Sequence, residues 1–437
     1  MKLSQMSERI QLFFHNNADC MARATQFVRR ASKMTGSYFL QMMVFEFLQD
    51  PKASLNELAA FCQAHLGFTI TPQGIDERIG PAALAFLKTM CTLALKLFCH
   101  QAHVPIPLLT QFSAVNITDS TSISLPPILA HLFPGCGGDA SPAGLKIQVV
   151  LELLSGTFSR LWLTDGITPD QKATQHLNVA IPGSLNLFDL GYFTLANLQA
   201  LAEAGAFFLC RLLLQTNLYR DDGRKVNLLA LLRAETRNRF EFSFRLGKAL
   251  MIPCRLCCFR APDEVANRRR QKANAQAAKQ GRTPSKLSLE LMGWTLLVTN
   301  VPASMLSLDH VALLYAVRWQ IELLFKLWKS HLKLHRITSF RKERVLVELY
   351  AKLIGAILFQ FLAMPLRAKN LDLSPTKAFK RLAKQSTAFV EALRSIPALI
   401  TILERLLDSM RTFAMREKRK TRLTTHQQLL EEVAYYP

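Results

Sequence analysis

The segment YAVRWQIELLFKLWK constrains the fold of this chain more than any other feature. It consists mainly of large apolar residues, and four of its polar residues stand at spacings of three, four and seven positions, namely Tyr315, Arg318, Glu322 and Lys329. Because an α-helix has about 3.6 residues per turn, these spacings place the four side chains near one face of a helix. A solvated face would account for polarity, but it would not specify a phenol, two cations and a carboxylate.

A carboxylate beside two cations suits phosphodiester chemistry. Magnesium prefers hard oxygen ligands, and paired ions stabilise the attacking and leaving oxygens of an in-line displacement. Such a site needs more carboxylates. Asp119 lies in the strand-like VNITDSTSISLP, and Asp189 follows the apolar LNLF, with Gly191 permitting a tight turn or a close approach. An aspartate in an apolar strand is costly to bury without a partner such as a metal ion.

The charge balance predicts a polyanionic partner. Lys and Arg number 54 against 32 Asp and Glu, a net charge of +22, and neutralising phosphates releases condensed counterions. The segment ANRRRQKANAQAAKQGRTPSK reads as an exposed arm or frayed helix. Phosphate contact is favoured there over a solvated loop, through Arg268, Arg269, Arg270 and Lys272. A second basic run, residues 415–422, fits a DNA-contacting tail or a solvated helix face equally well.

The pattern of residues along the chain indicates helical regions and strand-like regions. Residues 1–104 read as helical. A capping box at Ser54, a helix end near Gly67 and a helix start at Thr71–Pro72 suggest either a helix-turn-helix whose segment 72–79 enters a DNA groove or an ordinary helical hairpin. Strand-like segments with Gly turns begin near Ala114 and predict an α/β core, and helices return from Ser307.

Several classes of protein are disfavoured. No secretory signal is visible, and the apolar stretch 345–366 contains two charges, so a buried helix explains it better than a membrane span. The nine cysteines form no zinc-like or disulfide framework, and CRLCCF reads as a strand. We therefore expect a cytoplasmic protein that acts on DNA, with no membrane partner.

Three segments together resemble the catalytic motifs of bacterial insertion-sequence transposases of the insertion-sequence-four family, which use two aspartates and a glutamate. The first motif, D-[GS]-T, matches at Asp119, and the second, D-x-G-Y-[FY], matches at Asp189. Leu190 stands where that second motif often has Arg. The signature Y-(2)-R-(3)-E-(6)-K matches at all four residues of the helical segment, and the resemblance covers roughly residues 105–365.

The resemblance implies a ribonuclease H-like α/β core interrupted by a β-rich insertion, with helical N- and C-terminal regions. The corresponding regions are residues 1–104 (DNA-binding), 105–212 and 300–370 (core), 213–299 (insertion) and 371–437 (C-terminal helices). Asp189 and Glu322 are 133 positions apart, which leaves room for such an insertion.

Residue roles also follow from the resemblance. The three carboxylates would hold two magnesium ions, with manganese as a substitute, while Tyr315, Arg318 and Lys329 hold the terminal phosphate and a displaced base. Trp294, which begins the last strand of the insertion, is either a platform for an extruded base or a core tryptophan. Trp319 and Trp328 lie on the helix of the signature and are expected to be packing residues. The partners would be transposon ends and target DNA, bound by a homodimer. Alternatives are a metal-dependent nuclease of the same fold and an inactive DNA-binding derivative.

Overall fold

A computed structural model describes residues 1–98, 106–138, 140–337, 339–369, 371–417 and 423–431, which form a mixed α/β structure. The helices are α1 Leu3–Leu12, α2 Ala18–Ala24, α3 Gly36–Gln49, α4 Leu55–Phe61, α5 Pro72–Arg78, α6 Pro81–Phe98, α7 Pro107–Thr110, α8 Leu195–Glu203, α9 Leu228–Ala234, α10 Asp263–Ala278, α11 Lys286–Leu291, α12 Leu308–Val317, α13 Trp319–Leu327, α14 Lys342–Arg367, α15 Pro375–Lys384, α16 Ser386–Ala392, α17 Ile396–Phe413 and α18 Thr425–Leu430. The strands are β1 Val115–Leu125, β2 Ala143–Glu152, β3 Thr157–Asp165, β4 Leu185–Phe188, β5 Phe207–Arg211, β6 Leu218–Tyr219, β7 Arg239–Leu246, β8 Ile252–Arg260 and β9 Trp294–Thr299.

Two compact units divide the chain, each made of three segments. The first comprises Met1–Pro105, Ser120–Thr168 and Ile321–Lys418, and the second comprises Ile106–Asp119, Pro169–Gln320 and Arg419–Pro437. This division differs from the five regions expected from sequence, whose boundaries stay predictions.

The N-terminal helices of the first unit begin and end where local sequence predicts. The hydroxyl of Ser54 accepts from the backbone of Glu57, whose side chain accepts in return, which confirms the capping box. The first helical segment ends at Gly67, at φ 75°, and the next begins with Thr71 as cap and Pro72 at the first position. Two short helical segments joined by a turn are therefore confirmed, while the choice between a DNA-binding helix-turn-helix and an ordinary helical hairpin stays open.

The apolar stretch near residue 350 is an interior helix of the first unit, as predicted. Two helices, Pro81–Phe98 and Lys342–Arg367, are long and apolar enough to cross a membrane, and 39% and 89% of their apolar windows are buried. The two charged residues in the apolar part of α14 pair with each other: the buried ammonium of Lys352 lies 2.6 Å from the carboxylate of Glu348. A buried charge is tolerated when it is paired in this way.

The sheet of the second unit has the order β1-β4-β5-β9-β8-β7-β6. β1, β4 and β5 run parallel, with Val115 opposite Leu185 and Leu185 opposite Phe207. The later strands are antiparallel, and β9 pairs with both β5 and β8. The segment predicted as an insertion thus contains strands, as expected, but those strands continue the sheet of the core instead of forming a second one.

Two smaller predictions also have clear outcomes. The segment 145–166, whose content of Ile, Val, Thr and Leu with Gly turns predicts strands, forms the antiparallel hairpin β2–β3 of the first unit. CRLCCF lies in β8, and Cys254, Cys257 and Cys258 are all buried there. The cysteines among the described residues are free thiols.

Candidate active site

Asp119 and Asp189 lie side by side along two adjacent parallel strands. The β1–β4 pairing ends with Thr118 opposite Phe188, and each aspartate is the next residue of its chain. The strand register therefore brings together two carboxylates that are 70 positions apart in sequence. Both side chains are partly exposed, so they remain accessible to a ligand. Carboxylate oxygens of this kind are the donors that magnesium prefers.

The turn after β4 fixes the Asp189 side chain. Its Oδ1 accepts a hydrogen bond from the backbone N–H of Leu190 at 2.7 Å, which caps the short 3-10 turn Leu190–Tyr192. A Cβ on Gly191 would lie 3.2 Å from Oδ2 of Asp170. Gly191 therefore serves a close approach, one of the two roles predicted for it, and the neighbour it approaches is a further carboxylate.

Arg318 pairs directly with Asp119. Its Nη1 donates to Oδ2 of Asp119 at 2.9 Å, and the two side chains are only 14% and 15% exposed. The guanidinium carbon also lies 6.0 Å from the centroid of the Tyr315 ring. Three residues that the sequence singled out thus share one neighbourhood in the second unit.

Tyr315 brings a phenol to the same neighbourhood. Burial, together with the negative charge of Asp189, raises the pKa of Tyr315 far above its usual value, although Arg318 and Arg211 act in the opposite direction. The phenol therefore stays protonated and can act as a hydrogen-bond donor. Among the partners that the structure describes, the buried hydroxyl of Tyr315 has none.

The four signature residues do not lie on one uninterrupted α-helix, and that prediction was wrong. α12 ends at Val317, Arg318 lies between the helices, and α13 begins at Trp319. Lys329 lies in a π-helical turn, Trp328–Leu332, where it is exposed. A π turn has more residues per turn than an α-helix, so the assumed spacing fails at this point.

Glu322 lies in the first turn of α13 and is half-buried. It belongs to the first unit, whereas the two aspartates belong to the second. Two tryptophans on this stretch were both interpreted as packing residues. Trp328 is fully buried against Phe158 and Phe325, as expected. Trp319 is 47% exposed, so that interpretation was wrong for Trp319.

Comparison with known proteins identifies the family. The profile described as "Transposase DDE domain" matches residues 110–358, a stretch that includes both aspartates and Glu322. The chain belongs to the DDE transposase family.

Curated relatives of this transposase come from bacterial insertion sequences. It is 28% identical over 411 residues to the transposase of element IS231F from Bacillus thuringiensis subsp. israelensis, with 88% of this chain and 86% of the relative covered. It is 26% identical over 455 residues to that of IS1151 from Clostridium perfringens, with coverages of 97% and 95%. The protein is therefore an insertion-sequence DNA transposase, an enzyme of DNA recombination.

A solved structure is also similar. The piggyBac transposase, in a synaptic complex with hairpin DNA, matches with a TM-score of 0.49 and 11% identity, covering 95% of this chain and 86% of the other. DDE transposases as a family depend on divalent metal ions. Within the described residues of either unit, no three His, Cys, Asp or Glu side chains are grouped closely enough to hold a metal.

The basic segment of the transposase, residues 266–286, is largely exposed, as predicted, but its part up to Ala278 is a regular helix and not an arm or a frayed helix. This helix is α10, Asp263–Ala278. Arg269 donates to the backbone oxygens of Met292 and Trp294 at 3.4 and 3.3 Å, and to Oγ1 of Thr295 at 3.1 Å. Burial, and then repulsion from Arg211, lowers the pKa of Arg269.

Only part of that basic cluster faces solvent. Arg270 donates to the backbone oxygen of Leu289 at 3.1 Å and to Asn267 at 2.9 Å. Arg268 and Lys272 are exposed. The four predicted DNA contacts therefore separate into two arginines bound to the protein and two exposed cations.

Trp294 begins β9, as predicted, and is 8% exposed. It lines a cavity of about 260 Å³ in the second unit. The guanidinium of Arg260 covers its ring at 4.5 Å, and Phe240 meets it edge-on at 5.8 Å. The tryptophan is thus packed as a core residue would be, although it borders a cavity; base stacking there stays a prediction.

Sequence reasoning missed two neighbours of Asp189. Asp170 approaches the turn at Gly191. The buried ring of His176 contacts Tyr192 edge-on at 5.4 Å and Phe188 at 6.3 Å. Neither residue belongs to a motif, and only tertiary packing brings the loop 170–179 to the turn, so no local signal could have found them.

Proposed function

We propose that this transposase cleaves transposon ends and joins them to target DNA at a site formed by Asp119, Asp189 and Glu322. The observation that carries the proposal is the register of β1 and β4, which brings Asp119 and Asp189 together next to Arg318. Glu322 joins them through its match to the family signature. In this proposal the core is ribonuclease H-like, and residues 213–299 are the family's insertion.

The three carboxylates fit hard divalent ions, and we propose two Mg²⁺, with Mn²⁺ as a substitute. Bound there, the ions would activate water for the first cut, activate the freed 3′-hydroxyl for joining and stabilise the charge on the phosphate. Every other contribution comes from side chains. Arg318 and Lys329 would bind the phosphate, and Tyr315, held protonated, would donate a hydrogen bond to it.

The wider DNA surface is part of the same proposal. Arg268 and Lys272 are the exposed cations of α10 and are suited to phosphate contact. Arg269 and Arg270 would contribute by holding α10 in place, and Trp294 would stack an extruded base once Arg260 moved aside. The basic run at residues 415–422 lies mostly outside the described residues. We propose a homodimer that brings two ends together in the bacterial cytoplasm.

Cleavage of a labelled duplex carrying the element's terminal repeats tests the proposal. In Mg²⁺, the wild type should cut at the ends, and Glu322→Gln should bind the duplex without cutting it. Glu404→Gln is the matched control, because Glu404 is an exposed glutamate of the same unit on α17. Equal cutting by wild type and Glu322→Gln would remove Glu322 from the site.

Addition of target DNA then separates transposition from plain hydrolysis. Joined products require the freed 3′-hydroxyl to act as a nucleophile, so their appearance supports strand transfer. Cutting without joining at any target concentration would favour the metal-dependent nuclease. Binding without cutting by the wild type would favour a derivative that has lost its chemistry.

A further inference from the structure

We infer that Arg318 and a divalent metal ion compete for the carboxylate of Asp119, so that Arg318 acts as an exchangeable counter-ion. The inference rests on the proposed metal role of Asp119. It adds a function for Arg318 in the metal-free protein, separate from any contact with DNA. The evidence is the direct pair between Nη1 of Arg318 and Oδ2 of Asp119 at 2.9 Å.

The pair is more than a surface contact. Its side chains are 14% and 15% exposed, whereas the Arg239–Asp309 pair of the same unit has both side chains 45% exposed. Exposed ion pairs contribute little because water and salt screen them. A charge-assisted hydrogen bond with most of its water removed is stronger. A metal ion that replaces Arg318 must therefore overcome a substantial interaction.

Of the two partners, Arg318 is the one able to move. Asp119 continues a strand whose register is fixed up to the Thr118–Phe188 pair, and its side chain is short. Arg318 lies at the break between α12 and α13 and has a long side chain. The carboxylate therefore stays in place while the guanidinium leaves it.

The two cations exclude one another at this carboxylate. A magnesium ion binds oxygen at about 2.0–2.1 Å and carries two positive charges, and a guanidinium held 2.9 Å from the same carboxylate would be repelled by it. Apparent metal affinity is lowered when the competent state must first be formed. Displacement also frees the guanidinium for the phosphate contact proposed for Arg318.

The test is a titration of the DNA-free, full-length protein with Mn²⁺, with free ion followed by electron paramagnetic resonance. Arg318→Met should bind Mn²⁺ about tenfold more tightly than the wild type, since a charged hydrogen bond of this kind no longer has to be broken. Arg318→Lys keeps the charge but loses the planar fork, so its affinity should lie between the two.

Three controls separate the possible failures. Arg239→Met removes one positive charge from the exposed pair of the same unit and should change affinity by less than about twofold, because exposed pairs are screened. Asp119→Asn should weaken Mn²⁺ binding; if it does not, the proposed metal role of Asp119 fails, and the competition fails with it. Thermal melting shows which variants are folded.

Equal or weaker Mn²⁺ binding by Arg318→Met, with Asp119→Asn weakened as expected, would overturn the competition alone. The same conclusion would follow if Arg318→Met and Arg239→Met tightened binding equally, because the effect would then come from net charge. Should Arg318→Met not fold, Arg318→Lys decides: tighter binding supports the competition, and unchanged binding overturns it.

Discussion

Asp119 in β1 and Asp189 directly after β4, like the arginines of α10, are charged groups of the second unit, but the two groups relate to their surroundings in different ways. Asp119 and Asp189 are short side chains whose positions follow directly from the register of two parallel strands. Arg269 and Arg270 are long, and they turn inward to backbone oxygens of residues 289–294. Their neighbour Arg268 is exposed.

The difference shows when a charge in a sequence reports a function. A short carboxylate side chain in a strand, or directly after one, has a position set by the strand register, so both its position and its need for a partner are predictable. A run of basic residues can face solvent, bind phosphate or satisfy carbonyl groups of the protein, and these outcomes look alike in sequence. Charge counts therefore predict a DNA-binding protein better than they predict which residues bind.

The largest effect is expected on the cleavage rate when Asp119 or Asp189 is changed. Asp189→Asn should lower the cleavage rate by at least about a hundredfold, because metal stabilisation of the reacting phosphate is worth several kcal/mol. The asparagine oxygen can still accept from the N–H of Leu190, so the melting temperature should barely change. Cleavage of the terminal-repeat duplex, with DNA affinity measured in parallel, checks both points.

If the two aspartates act as one unit, the double variant Asp119→Asn with Asp189→Asn should be no slower than either single variant. A cleavage rate near that of the wild type for Asp189→Asn would show that the register places the carboxylates together without a catalytic consequence. The aspartates would then differ from the arginines of α10 in structure but not in function.

Adjacent arginines of α10 provide the next test. Arg269→Ala should lower the free energy of unfolding by about 1–3 kcal/mol, because its hydrogen bonds to Met292, Trp294 and Thr295 are lost. Arg268→Ala should leave stability unchanged and lower the DNA affinity. The slope of the logarithm of that affinity against the logarithm of the salt concentration should fall by about one. Urea denaturation and DNA titrations at several salt concentrations measure the two effects. A reversal of the two phenotypes would contradict the assignment.

Much of the fold could be predicted from the sequence wherever a local rule decides the outcome. The cap at Ser54, the left-handed end at Gly67 and the proline start at Pro72 are decided within a few residues, and all three are confirmed. The buried helix α14 follows from its composition. The conformation of the signature residues could not be predicted from such local rules, because an interruption at Arg318 and a π turn at Lys329 depend on packing.

The candidate site was predictable in its residue types and less so in its contacts. The motifs name Asp119 and Arg318, but that they pair at 2.9 Å depends on the tertiary structure. The approach of Asp170 to Gly191, and the packing of His176 on Tyr192, depend on a loop that carries no motif. Exposure of Trp319 was equally hidden, since its apolar neighbours favoured burial.

A smaller effect is expected at Tyr315. Its buried hydroxyl has no hydrogen-bond partner among the described residues, so Tyr315→Phe should be neutral or slightly stabilising. If the hydroxyl donates to substrate phosphate, cleavage should slow by about tenfold, since that is the effect of losing about 1.4 kcal/mol in the transition state. A stability loss with unchanged cleavage would make Tyr315 a packing residue.

The smallest effect tests how closely the turn after β4 must be placed. In Gly191→Ala the new Cβ would lie 3.2 Å from Oδ2 of Asp170, so one of the two must shift by a few tenths of an ångström. Loss of glycine entropy in the unfolded chain offsets this strain by about 0.4–1 kcal/mol, so the melting temperature should stay near that of the wild type. A shift of the Asp189 turn should nevertheless slow cleavage several-fold, because positioning errors below an ångström affect rate more than stability. Unchanged cleavage, with a lower melting temperature, would mean that Asp170 moves and the turn after β4 does not. Small changes around Asp189 would then affect function as little as changes on the exposed face of α10.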